Sequence, residues 1–181
     1  MDLQDRVLFI ARIAREPNIG KTAMMKYLYL LQTVEKVPLG YSFEIYTYGP
    51  YSSEAMSEID HASQNGYISV LGVTFPSGVY GYSITCDSKG EMLLTESPVI
   101  SAYQTQINVI VHAFSGKTAK ELELLSTIVY IALMHDKNDW GMSEEDICAS
   151  VQDVKPQFTL SEISANYRFL LDNQFLSKAL Q

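Results

Sequence analysis

The side chains from which chemistry could start are few. The chain has three histidines, His61, His112 and His135, far apart in sequence and none in a metal-ligand pattern. His135-Asp136 with Asp139 groups an imidazole and two carboxylates, raw material for metal binding or acid–base work, but a histidine closing a helix is also explained by the helix dipole. Asn18-Ile19-Gly20-Lys21-Thr22 ends like a phosphate-binding loop and lacks its first glycine. Cys86 and Cys148 have no partner at metal or redox spacing and read as free thiols in a reducing compartment. His112 falls beside the apolar stripe of its segment, where a satisfied, partly buried imidazole is the default. No catalytic residue, metal or cofactor is assigned, and the chain reads as a non-enzyme.

The aromatic residues carry more. Seven of the 12 tyrosines lie between Tyr41 and Tyr82. In Tyr48-Gly49-Pro50-Tyr51-Ser52, Gly49 lets the backbone turn and Pro50 fixes a dihedral, so the flanking rings are held in place. Tyr46, Tyr48 and Tyr51, with Tyr80 and Tyr82 and the nearby Glu54 and Glu58, are the candidate surface for a protein partner, since tyrosine-rich, lysine-poor surface is interface composition. The competing reading is that these rings pack on a sheet and the turn only aims the next helix.

Charge argues in the same direction. The net charge is −8 with a pI near 4.8, which opposes general attraction to nucleic acid or anionic membrane. From Val37 through Ser88 there is no lysine or arginine, while Glu44, Glu54, Glu58, Asp60 and Asp87 are present. Phosphate contacts need cations or amide donors. Arg12, Arg15, Lys21 and Lys26 are the alternative nucleic-acid-binding set, on the first two helices, against the plainer reading of a solvated face. The N-terminus lacks a signal-peptide pattern and no apolar run is long enough to span a bilayer, so a cytoplasmic protein without membrane contact is expected.

The elements that must position these residues follow from periodicity. Residues 2–15 place Leu3, Val7, Ile10 and Ala14 on one helical face, and Lys21 to Val34 is apolar on most faces. A strand begins at Phe43, then the Gly-Pro turn, then a helix opening at Ser52 or Ser53 and stopping at Asn65-Gly66. Tyr67–Val70 and Val79–Thr85 alternate as strands, joined by a turn at Phe75-Pro76-Ser77-Gly78. Cys86 to Gly90 reads as a turn. One helix is expected from Ser97-Pro98 to Phe114. Thr118–Glu121 is a capping box before the apolar run Leu122 to Met134, Ser143 opens another helix, and Thr159–Glu162 is a further capping box. Trp140 is expected to cap the second half's core. Ser53-Glu54 and Asn65 to Ser69 echo Ser161-Glu162 and Asn173 to Ser177 at one constant offset, a weak internal repeat.

The stretch Lys21 to Ser69, through Met24-Met25-Lys26-Tyr27-Leu28-Tyr29-Leu30-Leu31-Gln32, Phe43-Glu44-Ile45-Tyr46 and above all Tyr48-Gly49-Pro50-Tyr51-Ser52-Ser53-Glu54, resembles the Panacea or SocA-like antitoxin group and a related set of small prokaryotic proteins. That resemblance covers about 50 residues well. It implies a winged-helix-like fold without an enzyme site, in a superfamily that neutralises toxins or serves as adaptors.

The expected fold is α+β: a winged-helix-like N-terminal half, residues 1–95, of three helices, a short strand and a β-hairpin, packed on a mainly helical half, residues 96–181. The expected function is a non-enzymatic regulatory module binding a partner protein, antitoxin-like. The alternative is a winged-helix DNA-binding regulator, acting as a homodimer.

Overall fold

The computed structural model describes residues 1–74, 78 and 80–181. The N-terminal helix α1 (Leu3–Ile13) starts where the Asp2 carboxylate accepts from the Asp5 amide at 2.9 Å, and it buries Val7 to Ala11 and Ile13. α2 (Lys21–Thr33) has no side-chain cap and buries every residue from Ala23 to Leu31. A helix with so little polar surface forms because its neighbours cover it. Between α1 and α2 the chain passes close to a later strand, and a Cβ on Gly20 would stand 2.7 Å from the Tyr82 carbonyl oxygen.

The segment after α2 forms a small antiparallel hairpin, β1 (Glu44–Tyr46) with β2 (Gly49–Tyr51), in the register Glu44–Tyr51 and Tyr46–Gly49. The expected Gly-Pro turn is therefore displaced: the turn is Thr47-Tyr48, and Gly49-Pro50 belongs to the second strand. Pro50 has no amide to give and stands opposite Ile45, between the two end pairs, where a ladder tolerates it. α3 (Ser53–Gln64) follows, capped by Ser52, and β3 (Ile68–Thr74) pairs with β4 (Tyr80–Cys86) in a second two-stranded sheet. These strands run further than alternation indicated. The connecting turn expected at residues 75–78 lies outside the described residues except for Gly78, as does Val79.

Two further corrections concern helices. The stretch read as a turn at Ser88 to Gly90 is the start of α4 (Ser88–Thr95), because Asp87 accepts from the Ser88 amide at 2.8 Å and its carbonyl takes the Glu91 amide at 2.9 Å. The long helix expected from Ser97 is broken at Tyr103 into α5 (Pro98–Ala102) and α6 (Gln104–Phe114), and the Tyr103 ring turns in to lie 5.9 Å from that of Phe9. The capping boxes at Thr118–Glu121 and Thr159–Glu162 hold, opening α7 (Ala119–Lys137) and α9 (Leu160–Asp172). A third, Ser143 with Asp146, opens α8 (Glu144–Val154). Where the repeat implies a short extended piece after α9, like that after α3, the chain forms a short helix, α10 (Phe175–Ala179). The internal echo survives at one point: α3 and α9 both end on a left-handed residue, Gly66 at φ +73° and Gln174 at +62°.

α7 is the central strut. It buries residues from Leu122 to His135 and packs on α2, α8, α9, α10 and β2. One continuous apolar core runs from Val7 to Ala179, so residues from both ends of the chain share it. Each fully buried Leu or Ile in it contributes about 1.5–3 kcal/mol. The architecture is α+β, mainly helical, with two small antiparallel hairpins. Among the described residues no helix is long and apolar enough to cross a membrane.

Candidate interaction surface

The β1–β2 hairpin rests on buried charge. Beneath it, the Lys26 ammonium donates to the Pro50 carbonyl at 2.7 Å, and Lys155 donates to the carbonyls of Tyr46, at 3.2 Å, and Thr47. Lys155 also meets Glu123 Oε1 at 2.8 Å, and the Gln157 amide donates to the same oxygen at 3.1 Å. Lys26, Lys155 and Glu123 are 2%, 2% and 6% exposed. Buried charges persist only when paired and hydrogen-bonded, and here the hairpin's own carbonyls are part of that pairing. Burial dominates at Lys26 and pushes its pKa down to about 8, the attraction of the nearby Glu123 charge being partly offset by the repulsion of Lys155.

Gly49 is fitted to the same place. Its φ is +84°, and a Cβ would stand 2.9 Å from Thr127 Oγ1 and 3.3 Å from the Glu123 carbonyl. Both oxygens belong to α7, and Thr127 already donates to the Glu123 carbonyl at 2.7 Å. The glycine lets β2 lie flush against α7, and the lysines hold it there.

What the hairpin presents outward is aromatic. Tyr46 and Tyr48 are 68% and 64% exposed, while Tyr51 is half-buried with its ring 5.7 Å from that of Tyr46. Tyr80 and Tyr82 are exposed on the other hairpin, 5.7 Å apart, with the Lys21 ammonium 5.0 Å over the Tyr82 ring. Among the described residues no ring contact joins the two hairpins, so the tyrosines proposed as one patch form two pairs on two sheets.

The acidic candidates separate. Glu54 is exposed at the first turn of α3, 2.9 Å from Arg6. Glu58 is buried, and its two oxygens receive Arg6 Nη2 at 2.5 Å, Arg6 Nε at 3.1 Å and the Tyr41 hydroxyl at 2.6 Å. It ties α3 to α1 and offers a partner nothing. Glu54 and Glu58, four residues apart, share one face of α3, and α1 covers that face at Glu58.

The alternative basic face is also spent internally. Arg12 pairs with Glu16 at 2.9 Å, Arg15 with Glu91 at 2.5 Å and Lys21 with Asp60 at 2.7 Å, while Lys26 is inside the molecule.

Elsewhere little is set up for catalysis. His61 and His112 are exposed, so the partly buried position expected for His112 is not found; its helix turns that edge to solvent. His135 is buried, with Nδ1 2.5 Å from the Gly141 carbonyl and Nε2 2.9 Å from Ser150 Oγ. A carbonyl only accepts, so Nδ1 carries a proton and donates it there, leaving Nε2 to the Ser150 hydroxyl contact. Serine and imidazole are in reach of each other, but Ser150 lies within α8, away from the depressions around His112 and around Tyr29. The contact ties α7 to α8. Trp140, expected over the core, is 55% exposed and stands edge-on to His135 at 5.3 Å. Burial, with Glu91 alongside, pushes the Cys86 thiol up to about 12, and burial raises Cys148, so neither is a ready nucleophile. Among the described residues no group of three or more His, Cys, Asp or Glu could hold a metal ion.

Lys155, Glu123, Gln157 and Thr127 escaped the sequence reading. Of these only Glu123 carried a signal, a charge inside the otherwise apolar Leu122 to Met134 segment; Lys26, between Met25 and Tyr27, carried the same one. No protein-family model matches the chain, and no curated protein matches it.

Proposed function

We propose that the chain is a non-enzymatic regulatory module that binds a partner protein through the β1–β2 hairpin, with Tyr46 and Tyr48 as the anchors. The observation that carries this reading is their exposure on a backbone held from beneath by Lys26 and Lys155. Large aromatic rings on a fixed backbone lose little entropy on association, which is how a few side chains supply most of an interface's affinity. Glu54, at the start of the adjoining α3, adds an acidic rim. The antitoxin-like role implied by the resemblance belongs to this class.

A winged-helix reading of the first 95 residues has support in element order. α1, α2 and α3 precede the β3–β4 hairpin, and the Ile84 amide donates to the Ile19 carbonyl at 2.7 Å, which sets the α1–α2 connection beside β4. That order is what favours DNA binding as the second reading. Against it, α3 exposes Glu54 and Asp60, and the cations of α1 and α2 already have carboxylate or carbonyl partners.

Affinity capture from the native host with mass spectrometry separates the two. A partner retained by the wild type and lost with Tyr46→Ala/Tyr48→Ala, in a variant with unchanged melting temperature, supports the first reading. Binding to random duplex at low salt that falls steeply with added salt and with Arg12→Ala or Lys21→Ala overturns it in favour of the second.

A further inference from the structure

The two edges of the β3–β4 sheet are treated differently by the rest of the chain. On the β4 side the Ile84 amide donates to the Ile19 carbonyl at 2.7 Å and the Cys86 amide to the Ala14 carbonyl at 3.1 Å, so the end of α1 and the α1–α2 connection cover that edge. Because these amides point away from β3, the pairs Val70–Ile84 and Ile68–Cys86 are of the non-hydrogen-bonded kind, and Gly72–Tyr82 and Thr74–Tyr80 follow by alternation. The amides and carbonyls of Ile68, Val70, Gly72 and Thr74 therefore point outward from β3. Outside the hairpin's own ladder, no backbone hydrogen bond among the described residues reaches them.

Nothing in β3 blunts this edge. Open edges are ordinarily protected by charge, proline, a bulge or shortness. Ile68–Thr74 contains no charged residue and no proline, its register on β4 runs one-to-one from end to end, and it is seven residues long. Leu71, 64% exposed, stands at its middle on the outer face. On the other face Gly72 has no side chain, and the exposed Tyr80 ring lies where its Cβ would be. A bare strand of this kind is a template for one more strand, and the sequence of β3 indicates whose.

We propose that β3 is a homodimer interface: two copies of the chain join antiparallel through β3, about a two-fold axis at Leu71, into one four-stranded sheet. In that register Val70 stands opposite Gly72 of the second copy and Ile68 opposite Thr74, so every outward amide and carbonyl meets a counterpart. Leu71 meets its own copy as a close, non-hydrogen-bonded pair on one face. On the other, Val70 fills the space beside Gly72 of the second copy and abuts the Tyr80 ring that covers it. Charge selects the same edge. Each chain carries −8, which repels copies elsewhere, and an uncharged strand is where two such chains can touch without opposing like charges. A paired strand edge buries less than the ~1,200 Å² of stable complexes, so the dimer is weak, with a Kd on the order of 100 μM. The edge lies on the other hairpin from Tyr46 and Tyr48, so its failure would leave the partner-binding reading standing.

The test is sedimentation velocity of the full chain from about 5 μM to about 1 mM, with amide hydrogen exchange at both ends of that range. A reversible monomer–dimer equilibrium is expected, with the Val70 and Gly72 amides gaining protection at high concentration while Leu71 and Val73, already bonded within the hairpin, change little. Leu71→Lys, at an exposed position, puts two ammonium groups face to face at the axis. It is expected to weaken dimerisation at least about tenfold, with the melting temperature of the dilute chain unchanged. Under mild oxidation Leu71→Cys is expected to give a covalent dimer, since the Cα atoms of such a pair stand about 4.5 Å apart; wild type and Ser83→Cys, one strand further from the axis on each side, are not. A monomer up to about 1 mM, which would leave the edge to a strand of another protein, overturns the proposal. So does a dimer that Leu71→Lys leaves equally tight, or one in which the Val70 and Gly72 amides gain no protection.

Discussion

Lys155 and Glu123 meet at 2.8 Å under the β1–β2 hairpin, and the lysine's remaining donors go to the hairpin's own carbonyls at Tyr46 and Thr47. One side chain from the end of α8 thus couples α7 to a hairpin more than a hundred positions earlier. Removing one partner of a buried pair leaves the other charge uncompensated. Lys155→Met or Glu123→Gln is therefore expected to cost about 3–5 kcal/mol in denaturant unfolding. Lys155→Met/Glu123→Met should cost clearly less than the sum of the two single methionine variants.

Lys26 gives the chain a predictable alkaline response. Its ordinary pKa is 10.5 and burial brings it to about 8 in the folded protein. Between those values the unfolded chain holds the proton more tightly, so this group's contribution to stability rises with pH across the window. The rise is on the order of 3 kcal/mol when complete. In urea titrations between pH 7.5 and 10, which cover most of the window, wild type is expected to gain on Lys26→Met by about 2 kcal/mol; a constant difference would refute the assignment.

Two glycines with positive φ make a matched pair. Gly49→Ala meets both a left-handed φ and the α7 oxygens, and is expected to cost more than about 2 kcal/mol in thermal or denaturant unfolding. Gly66→Ala meets only the φ, since nothing lies within 4 Å of its Cβ position, and is expected to cost about 1 kcal/mol.

Glu58 and Tyr46 were candidates for the same surface and should behave oppositely. Glu58→Gln leaves Arg6 short of its buried partner and is expected to cost about 2–3 kcal/mol. Tyr46→Ala and Tyr48→Ala, on exposed rings, are expected to stay within about 0.5 kcal/mol by denaturant unfolding.

What could be read in the chain beforehand was what depends on near neighbours. The Thr118–Glu121 and Thr159–Glu162 boxes are contacts three residues long, and the stop at Asn65-Gly66 is a property of one left-handed residue. The β3–β4 hairpin was visible in alternation, though not its full length. What stayed hidden is set by distant partners. Lysine is ordinarily a surface residue; the apolar run around Lys26 hints at its burial, nothing local does so for Lys155, and both are inside because the Pro50, Tyr46 and Thr47 carbonyls and Glu123 receive them. The break at Tyr103 likewise depends on Phe9, and the loss of Glu58 from the surface on Arg6 and Tyr41. Of the tyrosine surface, the residue types were legible and the arrangement in two separate pairs was not.

The central claim is that Tyr46 and Tyr48 are carried by a backbone fixed from below. Native-state hydrogen exchange on the full chain tests this most directly. The account predicts that the ladder amides of Glu44–Tyr46 with Gly49–Tyr51 open at a free energy close to that of the α7 amides, and that Lys155→Met lowers the hairpin value first. Hairpin amides exchanging at the rate of an unprotected loop, while α7 remains protected, would contradict it.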